Sequence, residues 1–403
     1  MEKLLPSNKI ITEKAKGNFV FIKKKRYFDL SLHSGVLLLG HNHKVFKKTL
    51  NELRKNYSLT NYQNKNIRSM ILKYIKKYFR SAYDLIFCTT GSETVIKAIR
   101  ISRALSNKSK IFIVSGSWHG SVDQTLYFSK EDLKPIPLSS GISDNIKKNI
   151  IILPYNDLEK SKKILDRNYK DASCILIEPI TASLPLEQSK NYLKFLKEYS
   201  LKKRIILIFD EMVTGIRTAN GSVQNRFNIY PDITLVGKAI GGGLPISLII
   251  INRKIFDKIK KLKRKIFFGG TFSGNNFSLI SCLNTLAYVN KNKNLVRIII
   301  NKSKILQDKL NNFSNKNNLD VKVYRFDSFL RIIFSKKNIK NRIARDFFEK
   351  KNKIRITKFT KYLYSKKILY PKNGIIFLSS TLTSNNVDYL VKNLSIALKK
   401  CFK

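Results

Sequence analysis

A chain of 403 residues that is 43% hydrophobic has the length for a large core, and for two domains rather than one. No run approaches the roughly 20 apolar residues that span a bilayer, MEKLLPSNKIITEKAKG lacks the pattern of a signal peptide, and Cys88, Cys174, Cys282 and Cys401 are scattered without metal-like spacing. The net charge of +51 raises the question of a polyanion partner.

The basic residues are spread from Lys23–Lys25 to Lys399–Lys400 among many Asn and Ile, the signature of an A+T-rich coding sequence. The expectation is a reduced, cytoplasmic protein with no metal site and no specific nucleic-acid or membrane partner. A non-catalytic, polyanion-binding protein stands as the alternative from another class.

In chain order, NFVFIKKKRYFDL (18–30) predicts a hairpin, and GVLLLGHNH follows at 35–43. From about 80 to 250, short apolar runs alternate with helical patterns. The runs are LIFCTT (85–90), IFIVS (111–115), CILIEP (174–179), RIILIFD (204–210), DITLVGK (232–238) and ISLIIIN (246–252). SETVIKAIRISRAL (92–105) and SKNYLKFLKEYSLKK (189–203) are helical between them. Near-continuous apolar runs suit strands covered on both faces. The alternation predicts an α/β domain with a mainly parallel sheet, whose ligands sit at the carboxyl ends of the strands. After about 280, a long helical stretch gives way to two strands in VKVYRFDSFLRIIFS (321–335) and to helices near 340–350 and 357–367. GIIFLSS (374–380) and an amphipathic helix near 385–400 complete a smaller α+β domain.

Several strand ends carry chemically loaded residues. In TTGSETVIKAIR, Gly91 and Ser92 fall where a strand turns into a helix. Free N–H groups there suit a phosphate, or Ser92 is an ordinary helix cap. In SGSWHGSVD the only tryptophan, Trp118, precedes His119; it could stack on a flat ring or pack in a core. Asp210, followed by Glu211, ends RIILIFD, and Lys238 ends the next run but precedes three glycines. A buried carboxylate needs a cation or donor. One reading is an Asp–Lys pair that balances charge. The other is a Schiff-base lysine beside an aspartate that keeps a pyridine ring protonated, with glycine letting the backbone approach the ring. FFGGTFSGNNFS (267–278) could cradle a phosphate through Thr271 or form a domain-boundary loop.

Taken together and in this order, GSETVIKAIRISRA, WHGSVD, LPYNDLEK (153–160), ILIEPI (175–180), FDEMVTGIR (209–217), PDITLVGKAIGGGLPIS (231–247) and GGTFSGN (269–275) resemble the class III aminotransferases, pyridoxal-phosphate enzymes of fold type I. LPYND, GKAIGGGLPIS and NGIIFLSS are most similar to the glutamate-1-semialdehyde 2,1-aminomutase branch. The resemblance implies a large domain with a mainly parallel seven-stranded sheet plus a smaller α+β domain, divided as 1–45 (N-terminal segment), 46–280 (large, cofactor-binding) and 281–403 (small). It implies pyridoxal 5'-phosphate as cofactor, joined to Lys238 as a Schiff base, with Asp210 on the pyridine nitrogen. Gly91 and Ser92 would bind the phosphate, Trp118 with His119 and Met212 would meet the ring, Glu178 would line the site, and Thr271 would reach the phosphate of a neighbouring subunit in a homodimer. Lys238, once free, would act as general base at the carbon bearing nitrogen.

Four departures bear on substrate. The family's N-terminal arginine, which holds a substrate carboxylate, has no counterpart before Arg26. The loop QTLYFSKEDLKPIPLSSGIS (124–143) is shortened, Met212 replaces a usual valine, and Asn276 replaces a usual proline. These point to an aminotransferase that moves an amino group from an amino-acid donor to a carbonyl acceptor such as a keto sugar or small aldehyde. The aminomutase reaction is the alternative.

Overall fold

The computed structural model describes residues 12–56 and 65–402. Its centre is a seven-stranded sheet in the order Asp84–Cys88, Ser247–Ile251, Ile233–Gly237, Ile206–Asp210, Ala172–Ile177, Lys110–Val114, Ile150–Leu153. Only Ser247–Ile251 runs against its neighbours; every other pairing is parallel. The central strands are rich in isoleucine and buried along their whole length, because helices cover both faces. One face packs Val95, Ala98 and Ile99 of helix Gly91–Ser106 against Ile113, Leu176 and Ile208. The other packs Leu193 and Leu196 of helix Lys190–Lys203 against Ile175, Leu207 and Phe209.

This topology brings the carboxyl ends of six strands to one edge. Cys88, Val114, Leu153, Ile177, Asp210 and Gly237 are the last residues before the loops on that edge. The register sets Asp210 opposite Leu235, so the segment carrying Lys238 leaves the sheet beside it.

The expected hairpin is present as Phe19–Ile22 paired with Lys25–Asp29. Its two-residue turn places Lys23 and Lys24 in the left-handed region, at φ 47° and 59°. Parallel pairing of Phe28 with Ile368 and Asp29 with Leu369 adds a strand from the far end of the chain to this sheet. The C-terminal residues build a three-stranded antiparallel sheet, Lys322–Phe326, Phe329–Ile333 and Ile375–Phe377.

Two sequence expectations need correction. The long helical stretch after 280 is two helices, Asn276–Lys291 and Leu295–Lys316. The break falls at an asparagine-rich link, where Asn292 Nδ2 donates back to Tyr288 O; Asn caps rather than propagates a helix because its amide competes for nearby backbone groups. The seventh strand, Ile150–Leu153, was absent from the predicted runs. It is a four-residue strand on the sheet's edge, too short to stand out by periodicity.

Among the described residues, no helix is long and apolar enough to cross a membrane. No group of His, Cys, Asp and Glu among them could hold a metal ion.

Candidate active site

The strand-end edge opens into a cavity of about 740 Å³, lined by Gly91, Ser92, Trp118, His119, Glu178, Asp210, Met212 and Lys238 among others. Eight of the nine residues singled out from sequence therefore meet in one place. Thr271 does not: it lies exposed in the loop between Gly269 and Asn275, outside the cavity lining.

Asp210 is buried at the tip of its strand, and its carboxylate is fixed by two neighbours. Oδ2 lies 2.7 Å from His119 Nδ1, and Oδ1 accepts from the backbone N–H of Met212 at 3.1 Å. His119 Nε2 is buried with no partner among the described residues. Glu178 is held from both sides, Oε1 accepting from Trp118 N at 2.5 Å and Oε2 from Ala182 N at 3.0 Å. Burial, then the neighbouring Asp210, pushes the Glu178 carboxyl above its ordinary range.

Lys238 follows Gly237 in a tight 3₁₀ turn over Lys238–Gly241, itself at φ 48°. A side chain in the left-handed region stores strain of the kind that collects at functional sites. Burial pushes the Lys238 ammonium down; Glu178 and Asp210 oppose that shift, and Arg217 adds to it. Arg217 is a fully buried guanidinium whose hydrogen bonds run to backbone carbonyls, Leu378 O at 2.9 Å and Gly35 O at 2.5 Å. It also lies over the ring of Phe377, a cavity residue. The turn it holds has Leu32, His33 and Ser34 all at positive φ, and Ser34 lines the cavity.

At the opposite end, Thr90 caps helix Gly91–Ser106, its hydroxyl accepting from Glu93 N. The first N–H groups of a helix have no partner within it, and here the residues that carry them, Gly91 and Ser92, line the cavity. Ser92 Oγ also accepts from Ser121 N at 3.0 Å. Glycine makes this closeness possible: at Gly120, φ is +79° and a Cβ would lie 2.5 Å from Ser92 Oγ. Met212 fills the space between strand ends, and a Cβ on Gly237 would come within 2.7 Å of its sulfur. Trp118 is 53% exposed at the rim.

The loop carrying Thr271 is tied to the same helix. Glu93 Oε1 receives both Lys97 Nζ, at 2.5 Å, and the Ser273 hydroxyl, while Oε2 accepts from Thr89 N at 2.7 Å.

Sequence reasoning missed the remaining wall. Arg331, Arg342, Arg345, Glu349, Lys372 and Asn373 line the same cavity from the C-terminal part of the chain. The available signal was an arginine in the middle of the apolar run FLRII, where a charge needs a buried partner. The N-terminal stretch LLPSNKIITEKAKG, which has no carboxylate-binding arginine, lies largely outside the described residues.

A sequence model described as "Aminotransferase class-III" matches residues 5–353. The glutamate-1-semialdehyde 2,1-aminomutase of Methanocaldococcus jannaschii is 33% identical over 334 residues, covering 82% of this chain and 77% of that protein. That of Wigglesworthia glossinidia brevipalpis is 32% identical over 400 residues, 95% of this chain and 87% of the relative. Among solved structures, an omega-transaminase from Sphaerobacter thermophilus superposes with a TM-score of 0.89 at 19% identity, covering 97% of this chain and 91% of that one. A glutamate-1-semialdehyde aminomutase from Pseudomonas aeruginosa PAO1 gives 0.87 at 18% identity, with 97% and 88% covered.

Proposed function

The chain belongs to the class-III aminotransferase family of pyridoxal-phosphate enzymes, and from that premise we propose that Lys238 holds the cofactor and that the reaction moves an amino group within one small molecule. The reaction is that of a glutamate-1-semialdehyde 2,1-aminomutase, from carbon 2 to carbon 1. The observation that carries this reading is a buried lysine of lowered basicity and a buried, doubly anchored aspartate facing one cavity from adjacent strand ends. Sequence identity of about a third to relatives bearing the aminomutase name supports the choice of reaction.

The residues fit a flat, phosphorylated pyridine aldehyde. Gly91 and Ser92 offer helix N-terminal donors to the phosphate. Gly237 and Gly120 mark backbone that approaches too closely for a side chain. Asp210 presents a carboxylate to a protonated ring nitrogen, and Lys238 presents an amine to the aldehyde carbon. When bound, the cofactor supplies an electron sink for the carbon that loses a proton.

The chain's own groups do the rest. His119, with Nδ1 2.7 Å from Asp210 Oδ2, holds that carboxylate aimed at the ring nitrogen. Lys238, its amine free, would take a proton from the substrate carbon bearing nitrogen and give the same proton back when the amino group is set on the second carbon; burial lowers its basicity and favours the free amine. Trp118 stacks at the rim, and Glu178 holds the Trp118 backbone in place. Thr271 serves the site of a second copy. Phe267 and Phe272, on either side of it, are 74% and 69% exposed, which supports a homodimer that covers them.

A second reading is transfer from an amino-acid donor to a keto sugar or small aldehyde. It is favoured by the lack of an arginine before Arg26. One experiment separates these readings and the non-catalytic one. The purified protein is given pyridoxal phosphate, and its absorbance is recorded before and after borohydride, beside Lys238→Ala. It is then incubated with glutamate-1-semialdehyde alone, or with amino-acid donors and carbonyl acceptors. A borohydride-sensitive band that needs Lys238, with the isomer aminated at carbon 1 as product, supports the aminomutase. The band with product only from two substrates supports transfer. A folded protein without the band overturns the enzyme reading and leaves the basic surface as the function to explain.

A further inference from the structure

The family's substrate-holding arginine is missing from the N-terminal segment, yet the cavity has a basic wall of another origin. We propose that Arg331, Arg342, Arg345 and Lys372, all from the C-terminal part of the chain, form the subsite that receives a compact oxyanion carried on the end of the substrate remote from the reacting carbon. The inference rests on the reading that this cavity is the active site.

Two of the four are deeply buried. Arg331 and Arg345 are each 5% exposed, an expensive state for a guanidinium unless its donors are used. Arg331 stands in the middle strand of the C-terminal sheet. Its Nε and Nη2 donate to Glu349 Oε1 at 2.9 and 2.6 Å, and Nη1 donates to Asn373 O at 2.6 Å. Arg345 donates from Nη1 to Ser183 O at 2.8 Å and from Nε and Nη2 to Asp346 Oδ1. Its Nε also lies 3.7 Å from Glu349 Oε2. Arg342 shares Asp346, with Nε 3.3 Å from Oδ2.

Three arginines thus draw on two carboxylates, Glu349 and Asp346, and with Lys372 the wall carries more positive than negative charge. Burial, with Arg331 as the next cause, pushes Arg345 down to about 10, as expected where like charges are crowded together. An arriving anion relieves that repulsion. The guanidinium's planar fork suits a carboxylate or a phosphate ester, both of which present paired oxygens.

The wall also touches the catalytic floor. Gly116, at φ +92°, lets the stem of Arg342 lie where its own Cβ would be, 2.9 Å from the Arg342 Cβ. Ser183, which holds Arg345, donates to Gly116 O at 3.2 Å, and its neighbour Ala182 donates to Glu178. A small molecule reaching from Lys238 toward this wall needs an anionic tail.

The test uses the cofactor-loaded protein and three probes in ligand-observed NMR titrations: butyrate, its uncharged isostere butyramide, and inorganic phosphate. Arg342→Gln and Lys372→Ala are combined, because Lys372 is exposed and Arg342 reaches solvent, so the fold does not depend on them. The expected result is binding of butyrate but not butyramide, weakened about tenfold or more in the double variant, the size of a lost charge-assisted contact. Phosphate binding that is stronger than butyrate and weakened equally by the variant also supports the subsite and identifies a phosphate ester as the tail. Equal binding of butyrate and butyramide, no binding of either anion, or anion binding unchanged in the double variant overturns the proposal. The titration reads the wall directly, so a failure here is separate from absence of the Lys238-dependent band.

Discussion

His119 and Asp210 meet 2.7 Å apart, both side chains buried, His119 in the loop after strand Lys110–Val114 and Asp210 at the end of strand Ile206–Asp210 of the same sheet. The contact makes His119 a positioning residue for the aspartate. On the proposed role of Asp210 at the ring nitrogen, Asp210→Asn is expected to lower turnover by about 10²-fold or more. His119→Gln, which keeps a donor, is expected to lose much less. Steady-state rates of the two variants check the order; equal losses would remove Asp210 from its role at the ring nitrogen.

Lys238 gives a pH signature in the cofactor-free protein. Its folded-state value lies below the ordinary 10.5, so between those two values the unfolded chain binds the additional proton. Stability therefore rises with pH through that window and has no such slope below it. Lys238→Met is expected to flatten the rise. Urea midpoints across the alkaline range measure it, and identical slopes in both proteins would contradict a depressed lysine.

Glu178 titrates in the opposite sense. Its carboxyl is raised above 4.5, so the native protein holds a proton that the unfolded chain has lost. Stability from this group is present at low pH and falls as pH rises through the raised value. Glu178→Gln, which keeps an oxygen for the Trp118 or Ala182 N–H, is expected to remove that fall. The same denaturation series, taken between mildly acid and neutral pH, tests it.

Gly120→Ala forces a Cβ to 2.5 Å from Ser92 Oγ at a residue with φ +79°. The left-handed backbone alone costs about 1–2 kcal/mol. Displacement of Ser92 should add a loss of affinity for pyridoxal phosphate. Thermal denaturation reads the first effect and a cofactor titration the second. Unchanged affinity would detach Ser92 from the phosphate.

Arg217→Met leaves the carbonyls of Leu378 and Gly35 without their donors, each a loss of about 1–3 kcal/mol for a buried unsatisfied group. The turn over Leu32–Gly35 is expected to relax, moving Ser34 at the cavity rim. Amide exchange at Ser34 and Gly35 should quicken while the central strands stay protected.

The catalytic half of the site was legible from sequence because each residue sits at a boundary that the chain announces. An apolar run ends and Asp210 or Lys238 follows, and Gly91–Ser92 opens a helix with a clear periodicity. The resemblance to a family supplied the roles proposed for them. The basic wall was not legible. Arg331, Arg342 and Lys372 are ordinary in a chain of this charge, and they reach the cavity from a strand, from the start of a helix that lies against Gly116, and from the loop before the last strand, elements that only the tertiary fold brings together. The turn at Leu32–Ser34 escaped for a similar reason. Its positive φ values at Leu32, His33 and Ser34 go with a neighbouring partner, Asp29, which accepts from the N–H groups of Ser31 and Leu32, and a distant one, Arg217, which donates to Gly35 O; none of those three positions is a glycine or asparagine that would announce the turn. The break at Asn292 needed only closer attention to the asparagines.

The pairing of Phe28 with Ile368 sets the order in which the molecule can be completed. Strands made early on the ribosome wait for a partner made only after the whole central sheet. Until then Phe28, buried in the finished protein in one cluster with Phe359, Leu363 and Ile368, lacks part of its cover. The central sheet can assemble while synthesis continues, but this sheet closes only after the C-terminal region has emerged. Such a late, long-range closure is slow and leaves sticky surface exposed in the meantime. Chaperone demand in the cell should therefore track the last segment of the chain, and a ribosome stalled short of Ile368 should release a protein whose large sheet is built but whose N-terminal hairpin is still seeking an edge.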